Sequence, residues 1–276
     1  MSTPVYSTPE WYMSVQKQDA TSDLGRLTTF HHGFKQADSG TLVFAPLDFS
    51  TAPRAVLDVG TADGLWMRDL QATLPAPLDG EHTFLGTDVN ESYFPSAATR
   101  NVSFLRQDVK DPIPTAWEKA FDLINLRMVV IAAGSGAAQQ AVVNEHIKAL
   151  KPGGWIQLGD CERVCPTPQA ENPRYHDLWA CVRAVCQAQG VDPLEPPKFR
   201  SWLKEAGLED VGERISMRAV GKRNSDEELG RLGVQADLMI ARGFVKGAKG
   251  GFWVLPLNLK FSTDEDRTGR FCEAPA

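Results

Sequence analysis

An α/β fold, a parallel sheet covered by helices on both faces, is the architecture this sequence predicts. Three observations carry the prediction. From Arg54 onward, short β-branched or apolar runs alternate with longer helix-compatible stretches, the rhythm of strand-crossover-strand units. The first run, Ala55–Val59, leads through a glycine-bearing bend directly into a helical stretch. Polar residues suited to ligand binding, Asp88, Asp108 and Asn125, fall at or just beyond the ends of the following runs.

Each element follows in turn. Ala55-Val56-Leu57-Asp58-Val59 is the first strand. Residues 61–74 read as a helix with a mixed face of Leu65, Trp66, Asp69, Leu70 and Thr73, ended by Pro75 and Pro77. Strands two, three and four are residues 83–88, 102–106 and 121–126. Residues 137–150 form a helix with apolar Ala141, Val142, Ile147 and Leu150, and Lys151-Pro152-Gly153-Gly154 turns it into the fifth strand, 155–159. Beyond Cys161 the pattern becomes helical at about 175–189, 199–206 and 226–242, with residues 210–218 and 252–261 as two late strands. Residues 1–50 are expected to form an N-terminal helical lid, and residues 51–276 the main domain, with cover helices at about 162–245.

The composition narrows the partners. The 276 residues carry 29 Lys+Arg against 35 Asp+Glu, a formal charge of -6, with no basic run able to track a phosphate backbone, so no nucleic-acid partner is expected. No stretch approaches the ~18 consecutive apolar residues that span a bilayer. The opening residues lack a positive region followed by an apolar one, so a soluble, cytoplasmic protein is expected. Cys161, Cys165, Cys181, Cys186 and Cys272 form an odd set without a CxxC pair, which argues for reduced thiols and against a structural zinc site.

The most informative stretch is Asp58-Val59-Gly60-Thr61-Ala62-Asp63-Gly64, between strand and helix. Glycine there lets the backbone turn sharply and approach a ligand facing the helix amides. The G-x-G-x-x-G spacing of dinucleotide enzymes is absent. Asp88, with Val89 beside it, is placed to accept hydrogen bonds from ribose hydroxyls. Asp108 is placed to accept from an adenine amino group, with Gln107 and Val109 bordering the ring. Asn125, Leu126 and Arg127 end the fourth strand, at the edge where open α/β sheets bind ligands. Each residue alone also fits a solvated loop position; their coincidence at successive strand ends is the signal.

With these residues in view the sequence resembles the class I methyltransferases of fungal secondary metabolism related to the LaeA regulator and the UMTA-type enzymes. The matching pieces are Arg26-Leu27, His31-His32, residues 42–46, 55–66, 86–88, 104–108, 121–128, 150–156 and 203–208, then Asp210-Val211. Asp58 to Gly64 is close to that class's D/E-x-G-x-G-x-G loop, in which the acid lies near the cationic end of the cofactor. Ala62 stands where the middle glycine is usual, and Asn125 where histidine is common. The resemblance implies a Rossmann-like seven-stranded sheet, closed by the two late strands, with an N-terminal helical lid and a helical insertion. It also implies S-adenosylmethionine as donor, S-adenosylhomocysteine as product, and a small-molecule acceptor methylated on nitrogen, oxygen or sulfur. The most specific reading is N-methylation of a gliotoxin-type diketopiperazine.

Methyl transfer is an in-line displacement, for which orientation alone supplies about 7–11 kcal/mol. If a general base is needed, His31 or His32 in the lid is the candidate, not both, since adjacent helical residues diverge. Trp11 and Tyr12 could flank the acceptor, and Arg127 could bind an acceptor or cofactor carboxylate. His146, Trp179, Trp202 and Trp253 are assigned to packing, and no metal set is visible. The oligomeric expectation is monomer or homodimer. The alternatives are a LaeA-like regulatory homologue and a non-methylating S-adenosylmethionine-dependent ring-forming enzyme; a nicotinamide oxidoreductase is disfavoured by the glycine spacing.

Overall fold

Ala55–Val59 alternates no polar face with its apolar one, and all but its first residue are buried, as in a strand covered on both sides. The computed structural model describes residues 20–75, 81–97, 101–162, 164–188, 190–191 and 196–247. Within them β1 (Ala55–Val59), β2 (Thr83–Asp88), β3 (Val102–Arg106), β4 (Phe121–Arg127) and β5 (Leu150–Gly159) form one sheet in the order β3-β2-β1-β4-β5. Every pairing is parallel.

The helices are α1 (Ala20–Ala37), α2 (Leu65–Gln71), α3 (Gly136–Ile147), α4 (Pro173–Ala188), α5 (Phe199–Glu205) and α6 (Glu227–Gly247). Strand alternation sends Leu57, Val59, Ile124 and Leu126 to one face, where Val142 and Val143 of α3 and Phe199 and Trp202 of α5 cover them. Val56, Phe84 and Leu123 point the other way, onto Trp66, Met67 and Leu70 of α2 and the incoming Leu42 and Phe49. Each such side chain stabilises the fold by about 1.5–3 kcal/mol when removed from water. His146 lies within α3, buried, its Nδ1 2.8 Å from the Val142 carbonyl oxygen.

Two elements differ from expectation. The first crossover helix begins only at Leu65, because Gly60, Ala62 and Gly64 all take positive φ and hold residues 60–64 as a loop. The fifth strand begins at Leu150 instead of 155: Leu150 pairs with Phe121 and Trp155 with Leu123, and Pro152, Gly153 and Gly154 are taken up as an irregularity between them.

The seven-stranded expectation is corrected to five strands among the described residues. Residues 211–220 form no ladder there, and Ile215 and Met217 are exposed at 81% and 62%, because a strand exists only through a paired neighbour. The other late strand, 252–261, and Trp253 lie outside the described residues.

Where residues 210–218 were expected to pair, Arg218 instead turns inward. Its Nη2 donates to Asp237 Oδ1 of α6 at 2.6 Å, and Tyr175 of α4 donates its hydroxyl to Asp237 Oδ2 at 2.8 Å. The Arg218 guanidinium lies 4.8 Å from the Phe30 ring centre of α1. Gln36 of α1 and Asn224 exchange reciprocal amide hydrogen bonds at 2.9 and 2.7 Å. The N-terminal helix is thereby joined to α6 and the segment before it. No helix among the described residues is long and apolar enough to cross a membrane.

Candidate functional site

At one level of the sheet three facing residues are polar where their neighbours are apolar. Asp58 on β1 pairs in register with Asn125 on β4, and Asn125 with Gln157 on β5. Asn125 Nδ2 donates to Asp58 Oδ1 at 2.7 Å, and Gln157 Nε2 donates to Asn125 Oδ1 at 2.8 Å. Thr61 Oγ1 donates to Asp58 Oδ2 at 2.6 Å. Gln157 continues the chain outward, donating to the Leu42 carbonyl at 3.0 Å and accepting the Phe44 N–H at 3.2 Å. Burial pushes the Asp58 carboxyl up to about 6, even against the hydrogen bonds from Thr61 and Asn125.

This ladder crosses the point where the sheet changes direction. β1 and β4 are neighbours, yet the chain visits β2 and β3 on one side before returning to β4 and β5 on the other. The helices leaving such strands diverge, and the crevice opens beyond their carboxyl ends.

The bend above Asp58 is set by close approaches. Gly60 has φ 71°, and a Cβ there would stand 2.7 Å from Val129 Cγ2 of the loop leaving β4, so only glycine fits. Ala62, in place of the middle glycine, holds φ at 52°, and Gly64 caps α2 at 77°. Gly86 of β2 gives the bend its floor: a Cβ there would lie 2.7 Å from Thr61 Cγ2 and 2.6 Å from Met67 Cε. The Thr61 N–H donates to the Thr87 carbonyl at 2.8 Å.

Asp88 ties the bend to the second strand. Its Oδ2 accepts the Ala62 N–H and its Oδ1 the Asn90 N–H, each at 2.9 Å. Burial raises the Asp88 carboxyl against the amides of Asn90, Ala62 and Val89. Next along the edge, Gln107 donates its N–H to the Asp88 carbonyl and its Nε2 to the Pro112 carbonyl, each at 3.1 Å. Asp108 Oδ1 accepts the Lys110 N–H at 3.0 Å. Asp58, Gly60, Thr61, Ala62, Gly64, Asp88, Val89, Gln107, Asp108 and Asn125 thus line one edge. Val109 and Leu126 differ: their side chains are buried in the core on the opposite face, leaving only backbone toward the crevice.

Two residues beyond Asn125, on the same face of the sheet, stands Arg127, at the end of β4. Its Nη2 lies 2.9 Å from His31 Nδ1, and its guanidinium 5.9 Å from the Phe34 ring centre. Guanidinium only donates, so His31 Nδ1 accepts and its proton sits on Nε2, which donates to Asp69 Oδ2 at 2.7 Å. Lys35 Nζ donates to the same oxygen at 2.7 Å. Burial, with the Arg127 charge beside it, drives His31 down to about 4, so the ring is neutral near neutral pH. Its one lone pair, which a base would use, here accepts from Arg127. His32 is exposed and meets His31 edge-on at 5.4 Å. Trp11 and Tyr12 lie outside the described residues.

Sequence reasoning missed Gln157, Asp69 and Lys35. Gln157 had a signal, being the lone amide in the apolar run 155–158; Asp69 and Lys35 had none, since only the docking of α1 on α2 joins them. The strand ends bring together two carboxylates, Asp58 and Asp88, and the guanidinium of Arg127. That donor set suits a nucleoside ligand bearing hydroxyls, a positive centre and a carboxylate.

The chain is similar to known methyltransferases. A family described as a methyltransferase domain matches residues 56–154. The N-methyltransferase gliN of Aspergillus fumigatus is 31% identical over 222 residues, covering 79% of this chain and 77% of that protein. The N-methyltransferase sirN of Leptosphaeria maculans is 33% identical over 206 residues, covering 75% and 69%. Among solved structures, an O-methyltransferase family protein from Burkholderia thailandensis matches with a TM-score of 0.45 at 17% identity, over 67% of this chain and 54% of that one.

Proposed function

The chain belongs to the S-adenosylmethionine-dependent methyltransferases, and on that premise we propose that it methylates a nitrogen atom of a small secondary metabolite in the cytoplasm. The observation that carries the reading is the joined set Thr61–Asp58–Asn125 at the switch point, roofed by the bend that Asp88 anchors. The choice of nitrogen is supported by the N-methyltransferase relatives.

Bound S-adenosylmethionine supplies a methyl group activated by positively charged sulfur. The proposed roles of the chain's residues follow from charge and place. Asp58 offers its buried negative charge to the cofactor's cationic end, while Asn125 and Thr61 keep that carboxylate oriented. The backbone of Gly60 to Gly64 lies along the same end of the cofactor. Asp88, with Val89, takes the ribose hydroxyls, and Gln107, Asp108 and the Val109 backbone border the adenine. The Leu126 backbone and Arg127 close the crevice at β4. His32, exposed on α1, is the proposed acceptor of the proton that an N–H substrate releases. Trp11 and Tyr12 are proposed to meet the acceptor.

The test is direct. The protein is incubated with methyl-labelled S-adenosylmethionine and a panel of cyclic dipeptides, amines, phenols and thiols, and products are mapped by mass spectrometry and NMR. A labelled methyl on nitrogen is expected. Label found only on oxygen or sulfur, or binding of the cofactor with no product from any acceptor class, would refute the proposal.

A further inference from the structure

Arg127 is held in a way that a surface ion pair does not require. Among the described residues its one hydrogen-bond partner is the neutral His31 ring, and no carboxylate lies within ion-pair distance of it. The remaining guanidinium N–H groups keep their capacity to donate, and a half-buried cation in that condition is favourably placed to meet an anion. Its stem is also fixed. A Cβ at Gly159 would stand 3.3 Å from Arg127 Cγ, and the next residue, Met128, holds φ at 60° with its N–H on the Gly159 carbonyl at 2.7 Å.

Behind the guanidinium runs a chain of fixed polarity: Arg127 Nη2 to His31 Nδ1, His31 Nε2 to Asp69 Oδ2, and Lys35 Nζ to the same oxygen. The carboxylate of Asp69 is hydrogen-bonded to His31 and Lys35, so it orients the ring and reaches Arg127 only through its charge. Asp58, Asp69 and Asp38 act on Arg127 through their charges without pairing with it. The same strand ends therefore present a carboxylate and a guanidinium near one another, the charge pair that an α-amino acid zwitterion matches.

Resting on the function proposed above, we propose that Arg127 binds the α-carboxylate of the cofactor's amino-acid portion, and that His31 and Asp69 are the positioning residues that aim it. His31 is then essential for its two hydrogen bonds and not for proton transfer.

The test uses two nucleosides that differ in that carboxylate: S-adenosylhomocysteine, which has it, and 5′-methylthioadenosine, which does not. Binding of each is measured by calorimetry, with thermal melting as the folding control. Arg127→Gln is expected to weaken S-adenosylhomocysteine about ten- to a hundredfold, the worth of a charge-assisted hydrogen bond, and to leave methylthioadenosine within about twofold. Arg127→Lys, which keeps the charge and folds if Gln does not, should fall between.

The histidine variants separate positioning from bulk. Asn at position 31 can place its Oδ1 where Nδ1 stood, keeping the acceptor for Arg127; Gln can keep the donor to Asp69 but loses that acceptor. His31→Gln should therefore weaken S-adenosylhomocysteine more than His31→Asn, with methylthioadenosine unchanged in both. Equal losses for both nucleosides, or wild-type preference in Arg127→Gln, overturn the inference while leaving the methyltransferase reading intact. A wild-type protein that binds neither nucleoside overturns that reading itself.

Discussion

Asn125 donates to Asp58 across the pair of strands between which the sheet reverses its order, and it does so at 2.7 Å with both side chains buried. The amide spends its other end on Gln157, so Asp58 is held in one orientation from β4 while Thr61 holds it from the bend.

That burial has a pH signature. The folded-state value of Asp58, about 6, lies above its unfolded value, so the fold binds this proton more tightly. The resulting stability is present below the ordinary carboxylate range and is lost as pH rises through about 6, to an upper bound of about 3 kcal/mol. His31 has the opposite sign: its value is lowered to about 4, so its contribution is present above the ordinary histidine range and lost as pH falls toward 4. Urea unfolding of the ligand-free protein between about pH 4 and 7 should show partial cancellation. Asp58→Asn should make stability rise more steeply with pH than in the wild type. An unchanged slope would contradict the buried, titrating acid.

Ala62 carries the cost of a left-handed backbone with a side chain attached. Ala62→Gly should raise stability by about 1 kcal/mol, because glycine takes that φ without the Cβ clash. Chemical denaturation decides it, and a loss of stability would show that the alanine methyl is making contacts that outweigh the strain.

Gly86→Ala drives a Cβ into Thr61 and the end of Met67. Met67 is flexible and can give way, whereas Thr61 belongs to the bend and is bonded to Asp58. The substitution should cost about 1–3 kcal/mol and weaken S-adenosylhomocysteine binding together with stability. Full affinity with normal melting would mean that the bend does not need its floor.

Asp237→Ala leaves the Arg218 guanidinium without its carboxylate, beneath α4 and α6. Breaking such a pair costs about 3–5 kcal/mol. Limited proteolysis should then cut first within residues 211–220, whose inward anchor is Arg218. Wild-type resistance to protease would place the anchoring elsewhere.

Local pattern was enough to determine the crossover rhythm, the five parallel strands, the glycine-bearing bend that follows β1 and the acidic residue at the end of β2. Hydrophobic periodicity and glycine chemistry act over a few residues and are written in consecutive letters. The same period of two already implied that Asn125 and Leu126 could not both face the crevice. Only the tertiary structure decided the rest. It made Gln157 the outer end of the Asp58 ladder, put His31 between Asp69 and Arg127, and turned Arg218 inward onto Asp237. It also extended β5 through a proline and two glycines that read as a turn. Each of these depends on which distant element stands within hydrogen-bonding reach, and on which buried polar atom must be satisfied there. A chain read in order carries no such distances.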